Sequence, residues 1–240
     1  MDALFCRQCP EGEPILRASA QCRTVPEETS DALVTPHFND LAQQLTNAGR
    51  RFDQRGWVLG TSGNFSAVVS HEPVRLAITP SGAWKGELAP DDILEIDERC
   101  RVLNGRAGRP SAEAPLHLEI VRQRPAGAVF HTHSVWGTIL SDRYTSAGGM
   151  AIEGYEMLKG LEGVATHVHH EWIPIIENDQ DMERLADTVR QTLSSQPACH
   201  AFLLRRHGLY TWGRTLPEAV RHVEIVEFLL EAIGRAEQEQ

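Results

Sequence analysis

Two histidines, His131 and His133, are separated by a single residue at the end of the apolar run Ala128-Val129-Phe130. Side chains alternate faces along a strand, so both imidazoles project the same way, roughly 7 Å apart at the backbone. A pair so placed can converge on one metal ion. A third histidine, His207, closes another apolar run in Leu203-Leu204-Arg205-Arg206-His207-Gly208. Three neutral imidazoles that leave one coordination position open are the donor set of a catalytic zinc rather than a structural one. The chain also holds a rival set: His167 and His169 share the i, i+2 spacing, with His170 and Glu171 beside them. These follow Gly163 and Ala165 and read as loop, where ligand direction is less constrained. Spacing alone does not choose between the two sets.

Three other segments suit an oxyanion. Gly60-Thr61-Ser62-Gly63-Asn64 offers hydroxyls and open backbone N–H groups. Thr79-Pro80-Ser81-Gly82 is a second loop of that kind, with Lys85 just behind it. Ser111 is expected at a helix N-terminus, where the helix dipole favours an anion. Each alone is an ordinary turn; three of them beside a metal triad point to a phosphorylated substrate. Two carboxylates stand out. Glu113 falls in the first turn of the helix expected after Ser111, where capping is its plain role. Glu156 lies in the Gly-flanked segment Tyr155-Glu156-Met157-Leu158-Lys159-Gly160. Partial burial there would raise its pKa and suit it to general acid–base work.

The elements that must carry these residues follow from periodicity. Thr35-Pro36 starts a helix whose apolar face is Phe38, Leu41, Ala42, Leu45, Ala48 and Phe52, ending near Gly56. Short β-like runs come at 65–69, 75–79, 93–96, 128–133, 172–176, 201–206 and 209–212. Helices are expected from Ser111, after Ser134, from Asp179 and near Thr215. Strands fall partly in neighbouring runs and partly between helices, which indicates an α/β fold with a mixed, mostly antiparallel sheet covered by helices on both faces.

The 240 residues suit one sizeable core, expected over 35–240. Residues 1–34 are rich in Glu, Pro, Ser and Thr without sustained periodicity and read as a flexible tail. Within it, Cys6 and Cys9 form a lone CxxC and Cys22 stands apart, so no disulfide framework or zinc finger is indicated. The net charge of −10 argues against nucleic acid or an anionic membrane surface as the main partner. With neither a secretory signal layout nor a membrane-length apolar run, cytoplasmic residence is the expectation.

Taken in order, Gly60-Thr61-Ser62-Gly63-Asn64, Ile78-Thr79-Pro80-Ser81-Gly82, Ser111-Ala112-Glu113, His131-Thr132-His133 and Arg206-His207-Gly208 resemble the class II aldolase/epimerase family, over about residues 36–236. Within that family, the stretch 155–160, Pro174-Ile175-Ile176-Glu177-Asn178 and Leu204 to Gly208 with Trp212-Gly213 resemble a branch that dehydrates a phosphorylated ketose. The resemblance implies a three-layer α/β/α sandwich and one zinc per subunit, held by His131, His133 and His207 rather than by the rival cluster. It implies phosphate binding by Thr61, Ser62, Gly63, Asn64, Ser81, Gly82, Lys85 and Ser111, with Glu156 as the acid/base. It also implies a homotetramer with active sites at subunit interfaces. Sugar-phosphate aldol cleavage, pentulose-phosphate 4-epimerisation and a non-catalytic interaction module are the alternatives on that scaffold. Ala112 departs from the Ser-Ser-Glu segment of family aldolases, and some family members carry Cys where this chain has Glu113. This leaves Glu113 open as fourth ligand, substrate contact or helix cap.

Overall fold

The structure, a computed structural model, describes residues 38–238. The expected tail with Cys6, Cys9 and Cys22, and the Thr35-Pro36 helix start, lie outside the described residues. Helix α1 (Phe38–Gln54) buries Leu41, Leu45, Ala48 and Phe52 on the one apolar face that its spacing sets up. Strands β1 (Asn64–His71), β2 (Val74–Ile78) and β3 (Leu94–Asp97) form an antiparallel meander. Then come α2 (Ala114–Gln123), β4 (Ala128–Thr132), α3 (Val135–Arg143) and β5 (Gly149–Ile152). The chain closes with β6 (Glu171–Ile176), α4 (Met182–Ser195), β7 (Ala201–Leu204), β8 (Gly208–Gly213) and α5 (Leu216–Gln238). No helix among the described residues is long and apolar enough to cross a membrane.

The eight strands lie in the order β3-β2-β1-β4-β8-β7-β6-β5, and every pairing is antiparallel except β6 with β7. This is the mixed, mostly antiparallel α/β sheet expected from the strand pattern. The pleat sends alternate residues to opposite faces. Val129, Phe202, Leu204, Tyr210 and Trp212 pack with Leu116 and Ile120 of α2 and with Leu185 and Val189 of α4. Ala128 and Phe130 face Leu45 and Phe52 of α1 and Val223 of α5. Ala201, Leu203 and Leu209 meet Leu140 of α3 and Leu229 of α5. Helices therefore cover both faces, giving three layers.

Some element boundaries differ from the sequence reading. Ser111 does not cap α2: the helix starts at Ala114 with Glu113 in the capping position, and the Ser111 Oγ accepts a bond from the Glu113 N–H at 3.2 Å. Pro115, with no N–H and a fixed φ, suits only the first turn and holds the start there. Helix α4 begins at Met182 because Asp181 accepts from the Arg184 N–H, whereas Asp179 is drawn to the Arg184 guanidinium. Ser134 caps α3 as expected, accepting from the Gly137 N–H at 3.0 Å. Strand β7 stops at Leu204 because Arg206 takes a left-handed φ of 54°. That conformation is supported by its N–H donating to the Ser141 Oγ, and by Asp142 receiving both Arg205 and Arg206 at 2.9 Å.

The turn holding His207 thus presses against the end of β4. A side-chain carbon at Gly208 would run into the Thr132 carbonyl, a backbone atom in a paired strand. Gly208→Ala is expected to destabilise the fold by about 2–3 kcal/mol through overpacking. The midpoint of urea unfolding should fall accordingly; an unchanged midpoint would contradict this close approach.

Candidate metal centre

The sheet register builds the centre. His131 lies in β4 opposite Asn64 of β1 on one side and Tyr210 of β8 on the other. Its Nδ1–H donates to the Leu209 carbonyl at 2.9 Å, which leaves Nε2 as a bare lone pair. The Tyr210 ring stacks on it, with centroids 4.0 Å apart and planes within 13°. His133 Nε2 lies 2.7 Å from His131 Nε2, and His207 Nε2 lies 3.3 Å from it. The N–H of His133 is anchored on the Trp57 carbonyl at 2.7 Å. Burial is the main cause lowering all three imidazoles: His131 falls well below its usual range, His133 to about 4, and His207 also shifts down. The like charge of neighbouring rings adds to the effect at His131 and His133. Three neutral rings with Nε2 atoms converging in this way fit a divalent metal ion.

Glu113 turns toward the same point. Its Oε1 lies 3.3 Å from His207 Nε2 and 3.6 Å from His131 Nε2, and its side chain makes no capping bond to α2. The helix-cap role is thereby excluded. Its Oε2 accepts from Asn64 Nδ2 at 2.6 Å. Asn64 Oδ1 in turn accepts from His117 Nε2 at 2.5 Å, and the Ser66 hydroxyl meets His117 Nδ1 at 2.8 Å. Burial pushes His117 down to about 3, so it is neutral, with its proton on Nε2 facing Asn64. The chain Ser66–His117–Asn64–Glu113 thus orients the carboxylate.

Beside the three rings opens a polar cavity of about 130 Å³, lined by Thr61, Ser62, Gly63, Asn64, Ser81, Gly82, Lys85, Ser111, Glu113 and His133. The Ser62 Oγ is buried there without a hydrogen-bond partner, as suits a donor waiting for an anionic ligand. Lys85 donates to the Thr61 and Ala83 carbonyls at 2.9 and 2.7 Å, which leaves one of its three N–H donors for a ligand. Burial lowers its pKa to about 8. The Asn64 amide gives one of its two Nδ2–H donors to Glu113 and its Oδ1 to His117, which makes it a link in the orienting chain at the edge of this cavity.

Residues 43–233 match the family described as Class II Aldolase and Adducin N-terminal domain. The chain belongs to this family. It is 46% identical over 195 residues to a methylthioribulose-1-phosphate dehydratase of Methylococcus capsulatus, covering 81% of this chain and 93% of that one. It is 44% identical over 192 residues to the protein of that name from Pseudomonas savastanoi pv. phaseolicola, covering 80% and 92%. In fold it is similar to L-fuculose-1-phosphate aldolase from Thermus thermophilus, with a TM-score of 0.66 at 23% identity over 85% of this chain and all of that one.

In this member of the class II aldolase family, the rival histidines part company. His169 joins Glu171 and His200, whereas His167 sits 3.7 Å from Glu156. Glu156 differs from its expected state. Its side chain is 71% exposed, in a 3-10 turn over Glu156–Gly160, and it pairs with Lys159 at 2.8 Å. Three residues apart in such a turn, the two side chains eclipse, and Lys159 holds the carboxyl below its usual range instead of burial raising it. Within one chain Glu156 lines a surface groove with Met157, Gly160, Arg221, Glu224 and Ile225, away from the polar cavity.

Sequence reasoning passed over three residues packed around the centre. His117 carried a faint signal, four residues after Glu113 and so on its helix face. Tyr210 carried none, since only the β4–β8 register sets it on His131. Glu227 of α5 is fully buried beneath the centre, where the Thr132 hydroxyl donates to its Oε1 and its Oε2 has no partner. Burial pushes that carboxyl up to about 7. A raised acid pKa means that the unfolded chain releases its proton first, so stability falls as pH rises from 4.5 to about 7. Glu227→Gln should flatten that fall, on the order of 2–3 kcal/mol. Denaturant melts at pH 4.5 and 8 check it; the same slope in both proteins would contradict the assignment.

Proposed function

We propose that this protein is a zinc-dependent hydro-lyase that converts 5-methylthioribulose 1-phosphate to 2,3-diketo-5-methylthiopentyl 1-phosphate, a step of methionine salvage. The observation that carries this reading is 46% identity across 93% of the length of a protein named for that reaction, in a chain whose three histidines converge. His131, His133 and His207 hold the metal, with Glu113 poised beside them as a further oxygen donor. When bound, zinc supplies Lewis-acid polarisation of the C2 ketone, which acidifies the C3 proton. Thr61, Ser62, Gly63, Asn64, Ser81, Gly82 and Ser111 receive the phosphate, helped by the third N–H of Lys85. This fixes the ketose in register and raises its effective concentration at the reacting groups. Glu156 takes the proton from C3 and returns it to the C4 hydroxyl, which leaves as water. The resulting enol then tautomerises to the 2,3-diketone.

Glu156 reaches this cavity from a neighbouring subunit of a cytoplasmic homotetramer. Its exposure on a single chain and the exposed Met157 beside it support that reading. Burial at the interface would then supply the desolvation that the single chain lacks and lift the carboxyl toward neutrality. Residues 35–240 act as one catalytic domain.

Glu156→Gln should retain its metal and lose roughly 10²- to 10⁴-fold in kcat. Near-normal turnover would sink the acid/base role. Mixing subunits of Glu156→Gln with subunits of His133→Ala, each inactive alone, should restore activity as hybrid tetramers form; no recovery after confirmed exchange would rule out a shared site. Offered 5-methylthioribulose 1-phosphate beside fuculose 1-phosphate, the enzyme should form diketone from the first and release no aldehyde from the second. Aldehyde release would make it an aldolase.

A further inference from the structure

A second donor cluster lies at the other end of β7. His200 immediately precedes that strand and His207 lies three residues past its end at Leu204, so the four strand residues, about 13 Å of extended chain, stand between them. Strands β6 and β7 are parallel neighbours, so Glu171 at the start of β6 falls beside His200. Glu171 is almost fully buried. Its Oε2 lies 2.8 Å from His169 Nε2 and 3.0 Å from His200 Nδ1, and its Oε1 accepts the His200 backbone N–H at 3.0 Å.

The protonation pattern gives this cluster its meaning. The Glu162 carbonyl, 2.9 Å from His200 Nε2, can only accept, so that nitrogen carries the hydrogen. In a neutral ring, Nδ1 is then a lone pair aimed at a carboxylate, an arrangement that needs positive charge between them. Metal-binding histidines are set up in this way, with the far N–H on a backbone carbonyl and the near lone pair on the ion. A single cation answers the Glu171 carboxylate and both rings together, with His169 Nε2 as a second lone pair; the alternative is one proton on His200, with a neutral His169 donating its Nε2–H to Glu171. His222 supports the arrangement without joining it. Its Nδ1 bonds the Trp212 carbonyl at 2.7 Å, and its Nε2 accepts the Glu162 N–H at 3.1 Å, which steadies the Glu162 backbone. The cluster opens onto a cavity of about 350 Å³ bordered by His169, His200 and His222, with space for water or a small anion as the remaining ligand.

We propose that His169, Glu171 and His200 form a second binding site for a divalent transition-metal ion of zinc-like preference, separate from the His131–His133–His207 centre. Two imidazoles and a carboxylate are donors suited to such an ion. Zinc stoichiometry and affinity, measured by equilibrium dialysis of the full chain with metal analysis, test this. The wild type should take up one zinc per subunit more than His169→Ala or Glu171→Gln, or hold that additional zinc at least about 10-fold more tightly. His169 stands in a part-exposed turn, so its replacement leaves the sheet intact, and each variant should still retain the zinc of the first centre. Any zinc on the N-terminal cysteines is common to all three proteins and cancels. Equal stoichiometry and equal affinity in the wild type and both variants would overturn the site and leave a proton-held ion pair in its place.

Discussion

Everything around the first centre answers to one convergence: the Nε2 atoms of His133 and His207 are brought to 2.7 and 3.3 Å from that of His131. Burial works against the charged form of each ring, so the imidazoles are kept as neutral donors rather than as repelling cations. The fold holds them there. His131 is gripped by the Leu209 carbonyl and the stacked Tyr210 ring, and His133 by its backbone bond to Trp57. His207 is carried on a hairpin that can approach β4 only because residue 208 is glycine. A divalent cation can take all three Nε2 lone pairs at once where this convergence places them, so the site is organised before the ion arrives.

The polar groups packed behind the centre supply orientation rather than charge. Asn64 is the pivot, since it faces His131 across the β1–β4 ladder and joins Glu113 to His117. A neutral His117 with a defined tautomer determines which end of the Asn64 amide faces Glu113, and so where that carboxylate points beside the three rings. On the other side of β4, Glu227 grips Thr132, the residue between two of the histidines. The centre is therefore braced from both faces of the sheet, by α2 through Glu113 and His117 and by α5 through Glu227.

Much of this was legible in the residues and some of it was not. The i, i+2 histidines, the hydroxyl-rich loops and the mixed sheet follow from local periodicity and turn chemistry, which sequence records directly. Tyr210 on His131 and Asn64 beside it arise from strand register, which is set by long-range pairing. Ser111 was misplaced as a cap because Pro115 fixes the start of α2 three residues further on. Glu156 looked enclosed because its flanks are apolar, but Leu158 packs inward while Glu156 turns outward beside Met157, and Lys159 claims the carboxylate. The two histidine pairs looked alike in spacing. Only the parallel pairing of β6 and β7 reveals that His169 belongs with His200 rather than with His167.

The central claim is that His131, His133 and His207 bind a catalytic ion together. X-ray absorption at the zinc edge, on protein loaded with one zinc per subunit, reads the ligand set directly. A centre held by these three histidines should show three imidazole nitrogens and one oxygen at about 2.0–2.1 Å. Sulfur at about 2.3 Å, or fewer than three imidazoles, would contradict it.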